Sequence, residues 1–225
     1  MRRKRLTLTI ILLGILIIGI FGFSYLDKRL NGDPVHVSNT AQILKNQIED
    51  KYDIVITDSK GFYENVIGYG ATLTTEDGLT FDAWNRQTGV VDFYQEAIWT
   101  KKGLHKWGYA DTFIPSVDNV HLNIGYREES PKDKHLPAKP IEDIQHHLWI
   151  TIYVDLKDSF KKKKAASIEE GIFNYYQALQ KDGAKEIELI VRHKDDSGSY
   201  MITRDANGII PAIHNTEDVS ERLNK

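Results

Sequence analysis

The chain has 225 residues, 29 basic and 32 acidic, for a formal net charge of −3, and it has no cysteine. That excludes a disulfide framework and any thiolate metal site. Setting aside the four cations at residues 2–5 leaves 25 basic against 32 acidic residues, near −7, too acidic overall for general nucleic-acid binding.

Residues 1–5 (MRRKR) form a short basic N-terminus, and residues 6–26 (LTLTIILLGILIIGIFGFSYL) follow without a charge. Twenty-one residues of helix span about 30 Å, the thickness of a bilayer's hydrocarbon core. The segment is apolar all round, whereas a helix on a soluble core keeps one polar face. A transmembrane anchor that partners the lipid bilayer is therefore expected over 6–26. Positive charge is retained in the cytoplasm, so the N-terminus is expected inside and residues 27–225 outside. Gly22-Phe23-Ser24 offers small residues for cleavage before Tyr25. Against that, the apolar run exceeds the about 7–15 residues of a signal peptide, so an uncleaved signal-anchor is expected. An exported domain without cysteine, and without an Asn-x-Ser/Thr sequon, points to the outer face of a bacterial, Gram-positive plasma membrane.

Residues 27–37 read as a short polar tether reaching at most about 35 Å. Ser38 and Asn39 offer N-cap chemistry before a helix over 40–51, whose Ala41, Leu44, Ile48 and Tyr52 recur at spacings of three and four. Strand patterns follow at 53–58 (DIVITD), 66–75, 79–84 and 90–94, joined by turn-rich connectors at hairpin spacing. Residues 95–107 fit a helix only loosely, and 120–127 (VHLNIGYR) return to period two. Together 38–128 read as a first α+β unit. Pro131, Pro137 and Pro140 among charges mark 129–146 as a loop or linker.

A second α+β unit is expected over 147–225. It opens with a strand at 147–156 (HLWITIYVDL) and continues as a helix over 165–181 that stops at Gly183. A hairpin over 186–194 and 199–205 follows, then a short helix capped by Thr216. The fold class is thus α+β, a helix on an antiparallel sheet, once or twice over, behind a transmembrane helix. This order, with the run TFDAWNRQTGVVDFYQEAIW at 80–99, resembles the ectodomains of uncharacterised Gram-positive membrane-anchored proteins of cystatin-like or PepSY-like fold. The resemblance covers about residues 38–107. It implies a fold and an envelope location, and carries over no catalytic residue.

Four constellations bear on chemistry. His135, Asp143, His146 and His147 are the densest histidine group, but adjacent strand histidines point to opposite faces, and no helical His pair exists, so no metal is expected. Ser159 and Lys162 match the Ser-x-x-Lys spacing of penicillin-recognising enzymes without that class's companion motifs. The acidic glycine-bearing stretches 195–198 and 205–208 carry too few carboxylates for a calcium loop and read as turns. The aromatics Tyr69, Phe81, Trp84, Phe93, Tyr94, Trp99 and Trp107 read as core or as a groove lining.

The lysine run is different. Lys161, Lys162, Lys163 and Lys164, with Lys157 nearby, precede a helix whose dipole they oppose, so helix stability does not explain them. They are the candidate contact for an anionic surface; as a solvated loop they would do nothing. No catalytic, metal or cofactor-binding residue is assigned. The expectation is an anchored extracytoplasmic binding or regulatory domain, whose partner is an envelope protein, a peptide or an anionic polymer. The rival is a cell-wall enzyme relying on Asp143, His146 and His147.

Overall fold

The computed structural model describes residues 30–127 and 139–224, and the chain divides into two compact units, Met1–Tyr94 and Gln95–Lys225. The anchor expected over 6–26 and the basic N-terminus lie outside the described residues. No helix among the described residues is long and apolar enough to cross a membrane.

The first unit is one helix on a four-stranded antiparallel meander. Helix α1, Pro34–Tyr52, starts earlier than Ser38 because Asp33 caps it. The Asp33 carboxylate accepts from the Val35 amide at 3.0 Å, and Pro34 supplies the preset φ suited to a first helical position. The stripe Thr40, Ala41, Leu44 and Ile48 is buried, and Asp53 in the left-handed region (φ 53°) ends the helix. Of the expected tether over 27–37, the described part is not extended: residues 30 and 31 are helical, and Gly32 (φ 79°) turns the chain directly into α1.

Strands β1 (Ile56–Glu64), β2 (Gly68–Thr75), β3 (Thr80–Arg86) and β4 (Gly89–Asp92) lie in that order. Ala71 pairs with Ala83 and Leu73 with Phe81, so period-two alternation buries these four on one face. The sheet closes at Asp92, whose buried carboxylate accepts from Lys51 Nζ (2.7 Å) and Tyr52 Oη (2.8 Å) at the far end of α1.

The second unit, from Gln95, begins within helix α2, Tyr94–Trp107, followed by a 3-10 turn at Ala110–Thr112. Its sheet holds β5 (Val117–Tyr126), β6 (Leu148–Leu156), β7 (Ile187–Arg192), β8 (Ser199–Ile202) and β9 (Leu223–Asn224) in sequence order. Short helix α3, Ile141–Ile144, precedes β6; helix α4, Lys162–Lys181, joins β6 to β7; helix α5, Thr216–Ser220, precedes β9. Buried Ile150, Ile152, Val154, Leu189 and Val191 meet Ile172, Tyr175 and Leu179 of α4 in one core, closed by Trp99 and Trp107 of α2.

Three expectations change here. Residues 120–127 belong to the second unit, because β5 pairs with β6 along its whole length, from Val117↔Leu156 to Tyr126↔Leu148. The first unit therefore ends at Tyr94 instead of 128, and 129–146 does not separate the units. The second sheet is mixed: β6 and β7 run parallel, Ile150↔Ile187 through Asp155↔Arg192, with α4 as the crossover that parallel strands require. Last, Asn215 caps α5 in place of Thr216, its carbonyl oxygen accepting from the Asp218 amide at 3.0 Å.

Candidate functional site

All five singled-out lysines fall on the β6–α4 connection. Lys157 follows β6 directly, Lys161 is the N-cap of α4, and Lys162, Lys163 and Lys164 form its first turn; all five are exposed. This is the end of the sheet at which the parallel strands β6 and β7 terminate. Helix α4 starts three residues earlier than expected, so the lysines are part of its first turn. Its N-cap makes no side-chain hydrogen bond, and its first turn contains no acid. Amides there lack intrahelical partners and carry the positive end of the helix dipole, and the lysines add to it.

The connection is held from beneath by the β7–β8 turn. The Asp158 carbonyl accepts from the Lys194 amide at 3.1 Å, and the Phe160 amide donates to Ser197 Oγ at 2.7 Å. Buried His193 has Nδ1 3.2 Å from the Asp158 carbonyl and its ring edge-on to Phe160 at 5.3 Å. These contacts bring exposed Lys194 to the same end, a sixth cation that sequence distance concealed. The signal for it was the pattern strand, long helix, strand, which places both connections after parallel strands at one edge.

Acids temper the cluster. Asp158 accepts from Lys164 Nζ at 2.8 Å, and that bond chiefly holds its carboxyl below the ordinary aspartate range. Asp195 and Asp196 occupy the adjoining turn in left-handed conformation, with Ser159 Oγ donating to Asp195 at 3.4 Å. Six ammoniums thus share this end with three carboxylates: Lys164 is ion-paired with Asp158, Lys161 also acts on Asp158 through its charge, and among the described residues no ion pair engages Lys157, Lys162, Lys163 or Lys194.

The other constellations resolve as follows. Ser159 lies in the loop before the N-cap while Lys162 is on the helix, so the pair does not share a helical turn. His146 and His147 sit in a 3-10 turn, Gln145–His147, not a strand, with ring centroids 3.9 Å apart; His135 lies outside the described residues. Among the described residues no group of three His, Asp or Glu side chains is placed to hold a metal ion. The 205–208 stretch is a turn: Asp205 Oδ1 accepts from the Asn207 and Ile209 amides at 2.8 and 2.9 Å, and the Ile209 bond leads in lowering its pKa.

The singled-out aromatics divide by unit. In the first, Phe81 packs 5.1 Å from Tyr94, while Trp84 stands between Phe62 and Phe93 at 5.5 and 5.4 Å. In the second, Trp99 and Trp107 are core. An open depression of about 520 Å³ in the first unit is lined by Asp53, Val55, Thr75, Glu76, Asp77 and Tyr94. Burial, then Asp77, raises the Tyr94 phenol. Neither the rival's Asp143, which is exposed, nor His146 or His147 lines it.

No protein-family model matches the chain, and no curated protein or solved structure matches it either. The fold defines a two-unit α+β protein with a cation-crowned helix start.

Proposed function

We propose that this is a single-pass membrane protein, anchored through residues 6–26 with its N-terminus in the cytoplasm. Its two α+β units work outside as a binding or regulatory module of the envelope. The partner is an anionic polymer that lies along the start of α4. The carrying observation is the uncapped, acid-free first turn of α4 with Lys161, Lys162 and Lys163 exposed around it. A helix built for stability alone would place acids there.

Each cation held near an anionic surface contributes about 1 kcal/mol. Replacing Lys161, Lys162 and Lys163 together with glutamine should therefore weaken binding about a hundredfold. The measurement is retention of the full chain, in detergent micelles, on immobilised poly(glycerol phosphate) at rising salt. Wild type should be held at low salt and released as the salt screens the charges. Equal retention of the two proteins removes this site from the proposal.

A further inference from the structure

The end of the first unit at which the chain enters carries a group of exposed aliphatic side chains that no other described residue covers. Val66, at the tip of the β1–β2 hairpin, is 97% exposed, and Ile67 beside it is 38% exposed. Leu30 and Val35, on either side of the turn into α1, are 65% and 66% exposed. Solitary exposed aliphatics are ordinary on a protein surface, but these share one end of one unit.

Three contacts fix that juxtaposition. Tyr69 Oη accepts from the Asp33 amide at 3.1 Å. A Cβ at Gly32 would stand 2.7 Å from Tyr63 Cβ, so the turn lies flat against the hairpin. Tyr63 and Tyr69 are a cross-strand pair with rings 4.8 Å apart, and His36 approaches Tyr69 at 5.5 Å. The hairpin therefore projects from the same end at which the chain arrives.

Residue 26 stands seven positions before Asp33. Seven residues span at most about 25 Å extended and about 10 Å as helix. Residues 30 and 31 are helical and Gly32 packs closely against Tyr63, so the connection falls short of its extended limit. An aliphatic tip flanked by tyrosines, on so short a connection, has the chemistry of a membrane–water interface.

We infer that the β1–β2 hairpin tip, with Val66 and Ile67, dips into the headgroup layer of the bilayer in which residues 6–26 are anchored, fixing the first unit end-on to the membrane. This rests on the anchor reading of 6–26. The lysine end of the second unit plays no part in it.

The wild-type chain has no cysteine, so one introduced thiol takes an environment-sensitive fluorophore uniquely. Leu30→Cys, Val66→Cys and Glu76→Cys would each be labelled in the full chain and reconstituted into phosphatidylcholine–phosphatidylglycerol vesicles. All three side chains are exposed, and Glu76 lies beyond the opposite end of β2, about 25 Å from the tip. The quencher is a nitroxide on the lipid headgroup or upper acyl chain. Labels at 30 and 66 should be blue-shifted and lose most of their emission to the nitroxide, while the label at 76 keeps its emission. Quenching at 30 with 66 behaving like 76 overturns the hairpin contact and leaves the anchor standing. Three unquenched labels overturn both readings. Quenching at all three overturns the end-on placement.

Discussion

Glu186 shows how single residues carry charge at the surface of the second unit. Its carboxylate accepts from Arg204 at 2.9 Å and from Arg127 at 3.1 Å, and both guanidiniums stack toward Trp149, at 5.5 and 5.7 Å. The Arg204 side chain is only 7% exposed, and its Nε, 3.8 Å from Glu188, is too far for a hydrogen bond, so Glu186 is its main counter-charge. Burial raises the Glu186 carboxyl, but the bonds from Arg204 and then Arg127 outweigh it and leave the pKa below the ordinary glutamate value. A depressed carboxyl contributes stability above its unfolded pKa, about 4.3, and loses it as pH falls through the lower folded value. Glu186→Gln should therefore cost about 1–2 kcal/mol at pH 7, discounted for the partial exposure of Glu186, and the gap to wild type should close below about pH 4. Urea unfolding in detergent micelles at stepped pH checks it. A gap that widens in acid contradicts the assignment.

At the scale of elements, α4 sets binding against stability. The Lys161 backbone is already extended (φ −135°, ψ 118°), the conformation an N-cap needs. Lys161→Ser should add about 1 kcal/mol by capping a free amide and raise the Tm by about 3 °C. The same change should weaken poly(glycerol phosphate) binding about fivefold by removing one cation. Stabilisation without loss of binding would mean that Lys161 is a solvated bystander.

Much of this element-level structure was legible. The three- and four-residue spacings of α1 and α4 and the alternation in β2 and β3 follow directly from which face must be buried. Strand partners were not legible, since β5 and β6 lie on either side of a proline-bearing stretch and pairing across such a gap leaves no local mark. Strand β6 is buried on both faces over Ile150, Thr151 and Ile152, as a central strand is, and a twenty-residue helix separates it from β7. That is the βαβ unit, and it would have placed Lys194 beside the other lysines. The start of α1 at Pro34 carries its own local mark, since Asp33-Pro34 is itself a cap and a first helical residue.

For the whole molecule, charge is distributed by place. Residues 6–225 carry 25 basic against 32 acidic residues, yet one end of the second unit gathers six lysines around three aspartates. An acidic body is repelled by anionic lipid and polymer, so a local cationic end can select how such a partner approaches. Under the proposed function the body faces the envelope exterior, which makes topology its premise. Four cations before residue 6 against the near-balance of Asp27, Lys28 and Arg29 after residue 26 favour the N-terminus inside. With an epitope fused after Lys225, protease added to intact cells should destroy the epitope signal completely. Moving the balance by Arg2→Glu, Arg3→Glu, Lys4→Glu and Arg5→Glu should leave a protected fraction. An epitope shielded in the wild-type protein would put the lysine end in the cytoplasm, where no envelope polymer reaches it.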